Sequence, residues 1–73
     1  MDDAIKGLCY TLQEEANTII RCTSEIKKKD IYDIKSRAVF ETMRMDSVAH
    51  IQDLCLLITN LVSEDYSRGK SDE

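Results

Sequence analysis

The sequence predicts an all-α protein, an antiparallel two-helix hairpin that self-associates into a four-helix bundle. Three observations carry this. The 73 residues contain no proline and only two glycines, Gly7 and Gly69, so little in the chain stops a helix. Apolar residues recur at spacings of three and four over two long stretches, the period of an amphipathic helix. A chain this short also buries too little surface to be secure alone without a metal, a disulfide or a partner, so an oligomer (a dimer or larger) is the expected state.

Helix 1 is expected over about residues 3–28. Asp2 or Asp3 can cap it, and acidic groups suit the positive end of the helix dipole. Lys27, Lys28 and Lys29 fall at its other end, where cations meet the negative pole, and read as a solvated last turn. Lys29-Asp30 is the best turn candidate. Asp30 or Asp33 can cap helix 2, which is expected from Ile31 or Ile34 to Ser63. The hairpin then occupies residues 1–62. The polar stretch 63–73 has little to bury and is expected to be a disordered tail. A connection this short sets the helices antiparallel.

Composition narrows the function classes. A formal charge of −4 and a pI near 4.9 argue against general nucleic-acid binding, which needs a basic face. No apolar run approaches the roughly 18 residues of a membrane span, so no membrane partner is expected. The start Met1-Asp2-Asp3-Ala4 lacks the basic and apolar regions of a secretion signal, so a cytoplasmic location is expected. Cys9, Cys22 and Cys55 fit that reading, being odd in number and without CxxC spacing. They read as reduced thiols acting as small apolar groups.

The two apolar seams carry the chemistry. On helix 1 the seam is Ile5, Leu8, Leu12, Glu15, Ile19, Cys22 and Ile26, a heptad line with one carboxylate at its middle. A buried unpaired carboxylate is costly, so Glu15 should be hydrogen-bonded, neutralised or metal-bound, unless it turns to the edge of the seam. Helix 2 offers Phe40, Met43, Ser47, His50, Leu54, Leu57 and Leu61. Ile34, Val48, Ile51, Cys55, Ile58 and Val62 broaden this face, enough to pack on more than one neighbour or to receive a partner protein. Its polar break is Ser47 and His50, flanked by the stripe Asp46, His50, Asp53. A turn near residue 29 sets Glu15 at the height of residues 43–47, so the two breaks meet. A lone histidine on such a seam is commonly a hydrogen-bonded edge residue. Beside Glu15 and Asp46 it becomes a candidate ligand, and Glu15, Asp46 and His50 form a candidate site for a divalent metal such as iron, manganese or zinc.

At Leu12-Gln13-Glu14-Glu15-Ala16, and again over Val39 to Leu54, the chain resembles the ferritin-like superfamily, in particular its short rubrerythrin-like and encapsulated-ferritin-like hairpins. The resemblance covers about residues 5–62. It implies a four-helix bundle of two hairpins holding iron at their interface, with iron oxidation or peroxide reduction as the chemistry. Glu15 matches the first-helix glutamate and His50 the histidine, and Ser47 stands where the bridging glutamate would be. The alternative is a non-catalytic helical oligomerisation or adaptor module without metal. A Ser47–His50 hydrolase is disfavoured, because a pair one turn apart on a continuous helix offers no oxyanion hole.

Overall fold

The computed structural model describes residues 3–71. Two α-helices account for most of them, α1 over Asp3–Ile26 and α2 over Ile34–Ser71, packed against each other as a hairpin with no strand among the described residues. The molecule is a rod with extents of 62 × 15 × 13 Å. At 1.5 Å per residue α1 is about 36 Å long and α2 about 57 Å, so α2 runs well past the start of α1. Among the described residues, no helix is long and apolar enough to cross a membrane.

The ends of the helices follow from local chemistry. Lys27 and Lys28 donate their backbone N–H groups to Ser24 and Glu25, three residues back. This tightening ends α1 at Ile26, slightly before the expected residue 28. Ile31 and Tyr32 then both donate to the Lys28 carbonyl and close the turn. No described residue needs a positive φ, which suits a turn without glycine.

Of the two possible caps for α2, Asp33 is the one used. Its Oδ1 accepts the Ser36 N–H at 2.8 Å, while its carbonyl accepts the Arg37 N–H at 3.0 Å. The Ser36 N–H holds the Asp33 carboxyl below the ordinary carboxylate value. Asp2, the other cap considered for helix 1, lies outside the described residues.

The far end of α2 differs from expectation, since the helix continues past Ser63 to Ser71. Low burial does not end a helix that meets no proline, because each added residue fixes one conformation in return for one hydrogen bond. Residues 72 and 73 of the expected tail lie outside the described residues.

The seam of α1 packs as read. Ile5 and Cys22 are buried, and Leu8, Leu12, Glu15, Ile19 and Ile26 are half-buried. On α2 the packed line is rotated. Phe40, Arg44, Ser47, Ile51, Leu54, Ile58 and Leu61 face α1, whereas Met43, His50 and Leu57 lie on an exposed flank. Arg44 is tolerated at the seam because its Nη2 donates to both Glu41 carboxylate oxygens at 2.6 and 2.8 Å. Its Nη1 reaches the Thr23 hydroxyl of α1 at 3.4 Å.

Candidate functional site at the Glu15–His50 contact

Glu15 comes from the middle of α1, and Ser47 and His50 come from successive turns of α2. His50 Nδ1 lies 3.1 Å from Glu15 Oε2. An ionised carboxylate can only accept, so the imidazole donates from Nδ1. Ser47 is the only buried polar residue among those described, at 5 % exposure. The Ser47 hydroxyl, and then the His50 imidazole, hold the Glu15 carboxyl below the ordinary value against the opposing effect of desolvation. Glu15 therefore neither swings clear of the seam nor sits in it unpaired. The Glu15 side chain is 24 % exposed and that of His50, beside it, 59 %.

An open groove of about 250 Å³ borders this contact, lined by Thr11, Glu15, His50, Asp53, Leu54 and Leu57. The structure thus brings together two of the three expected ligands, Glu15 and His50. Asp46 is exposed and does not line the groove, and Asp53, on the turn after His50, takes that place. Among the described residues, no group of three or more His, Cys, Asp or Glu side chains is arranged to hold a metal ion. One chain offers Glu15 and His50 as donors, fewer than the three or four protein ligands a transition ion usually takes.

Sequence reasoning reads Ser47 as a departure from a ligand pattern, whereas here it lies buried beside Glu15 and, with His50, lowers its carboxyl. A second polar cluster, at the turn, was not foreseen. Glu25 accepts from Lys28 Nζ and from the Tyr32 hydroxyl, each at 2.7 Å. These bonds lower the Glu25 carboxyl and raise both Lys28 and Tyr32. The Tyr32 ring meets Phe40 edge-on, with centroids 5.0 Å apart. The i, i+3 spacing of Glu25 and Lys28 was the available signal for half of this cluster.

The three cysteines are free, with Cys22 buried, Cys9 half-buried and Cys55 exposed. Comparison of the chain with protein-family models, with curated proteins and with solved structures finds no match.

Proposed function

We propose that this protein is a self-associating helical module, two hairpins forming a four-helix bundle, whose role is assembly and not catalysis. The observation that supports it most is the thinness of the single-chain core. Ile5 and Cys22 are the only buried apolar residues among those described, while Val39, Met43 and Leu57 stand on one exposed flank of α2. Burial on that scale does not secure a chain of this length, and covering the flank with a second copy would. The same apolar face would accept a helix from a partner protein of similar amphipathic character.

A second reading is ferritin-like iron binding, favoured by one observation, the meeting of Glu15 and His50 beside an open groove. The donors of a single chain do not fit such an ion. The reading requires two hairpins to set their Glu15–His50 contacts against each other, and so it depends on the first.

Sedimentation mass of the full chain, with and without chelator, tests both. The expected result is a dimer or larger that is indifferent to chelator and dissociates on Met43→Glu with Leu57→Glu. A monomer at micromolar concentration would overturn the assembly reading. Iron, manganese or zinc retained through purification, raising the Tm and lost in His50→Ala, would replace it with the metal reading.

A further inference from the structure

The turn end of the rod has a chemistry unlike the rest of the chain. Between residues 27 and 37 lie five basic side chains, Lys27, Lys28, Lys29, Lys35 and Arg37, against two acids, Asp30 and Asp33, a net of +3. The remaining 62 residues hold five basic and twelve acidic side chains, a net of −7. Half of the protein's positive charge is therefore concentrated at one tip of an acidic molecule. At the same tip Ile31 and Ile34 are 69 % and 76 % exposed, and Ile34 is the most exposed large apolar side chain among the described residues. Local bonding leaves most of the charge available. Lys28 is engaged with Glu25 and Arg37 Nε with the Asp33 carbonyl, while Lys27, Lys29 and Lys35 are exposed.

We infer that the turn end, with Ile31 and Ile34 as the apolar contact and Lys27, Lys29 and Lys35 around them, docks on the surface of an anionic lipid bilayer. Lysines alone would serve any polyanion, but the isoleucines gain only from a surface that carries negative charge and also takes up hydrocarbon. A protein partner could offer both only with a pocket shaped to the tip, whereas a bilayer yields around a narrow tip and can take in two side chains. The contact is peripheral and requires no spanning segment. It also amends the expectation of no membrane partner, which rested on the lack of an apolar run and could not anticipate two isoleucines left bare beside the lysines.

The test is co-sedimentation of the full chain with vesicles of phosphatidylcholine alone and of phosphatidylcholine with about 30 % phosphatidylserine. Binding to the anionic vesicles only, weakening as salt is raised, is the expected result. Ile31→Ser with Ile34→Ser should weaken it by about tenfold or more, and Lys27→Gln, Lys29→Gln and Lys35→Gln together by a similar or larger factor. Both variants alter exposed positions, so circular dichroism should show unchanged helix content. No binding to anionic vesicles at low salt would overturn the proposal, as would binding that survives the double serine change. Equal binding of wild type and the double serine variant to a DNA oligonucleotide would reassign the tip to nucleic acid.

Discussion

Glu15 shows how a single side chain can be acceptable at a seam. It interrupts an apolar line, yet the Ser47 hydroxyl and the His50 imidazole meet its carboxylate from the opposite helix. Because the folded-state value is depressed, ionised Glu15 stabilises the fold fully above the ordinary carboxylate range, and this contribution is lost as the pH falls through the lowered value. Glu25 and Asp33 are lowered as well, held mainly by Lys28 and by the Ser36 N–H respectively, so all three lose their contributions over the same acid range. Melting should therefore fall from pH 7 to pH 3, and Glu15→Gln should shrink that fall by removing one of the three groups. An unchanged pH dependence in Glu15→Gln would mean that the contact contributes nothing to folding. Carboxyl titration by NMR separates the partners. Ser47→Ala and His50→Ala should each raise the Glu15 value, since the Ser47 hydroxyl and the His50 imidazole both lower it.

At the scale of elements, the two helices were not equally legible in the sequence. In α1 the apolar heptad line alternates with Lys6, Gln13, Glu14, Asn17 and Arg21, so only one face can be buried, and the expected seam is the packed one. In α2 two heptad lines share Phe40, Ser47, Leu54 and Leu61. They differ in taking Met43, His50 and Leu57 or Arg44, Ile51 and Ile58. Apolarity favours the first line because the second contains an arginine. The fold adopts the second because Glu41 and Thr23 satisfy Arg44, a pairing that periodicity cannot weigh. The height of the Glu15–His50 contact was legible for a simpler reason, since turn position and helical rise alone fix it. The helix starts yield two predictions. Asp33→Ala removes the acceptor for the Ser36 N–H and should lower the Tm, whereas Asp33→Asn, which keeps a capping oxygen, should retain most of it. Gly7 lies within α1 and a Cβ there would meet nothing within 4 Å, so Gly7→Ala should stabilise by about 1 kcal/mol in urea unfolding. Destabilisation by Gly7→Ala would instead indicate that this face of α1 is covered closely in the assembled protein.

For the molecule as a whole, the separation of charge along the rod bears on how two copies would pack. Each chain carries −4, so association through the flank of Met43 and Leu57 works against a net repulsion. Side by side with turns together, two +3 tips face each other and the acidic lengths face each other as well. With turns at opposite ends, each basic tip lies along the acidic remainder of its neighbour. The apolar gain is similar in either direction, so the electrostatic difference should select the head-to-tail arrangement. Two measurements distinguish the directions. Fluorophores placed at Lys29→Cys, with Cys9→Ser and Cys55→Ser so that only the tip is labelled, should lie near the 62 Å length of the rod from one another in the head-to-tail bundle. They should be within about 20 Å of each other if the turns coincide, given interhelical spacings near 10 Å. Dissociation constants against salt give the second measurement. Over a range in which the screening length shrinks from about 30 Å to about 8 Å, the head-to-tail pair loses its tip-to-acid attraction together with the net −4 repulsion, so its Kd should change little. Turns packed together would instead be relieved of repulsion and bind more tightly as salt increases, and that outcome would show that side-chain fit along the flank outweighs the field of the whole rod.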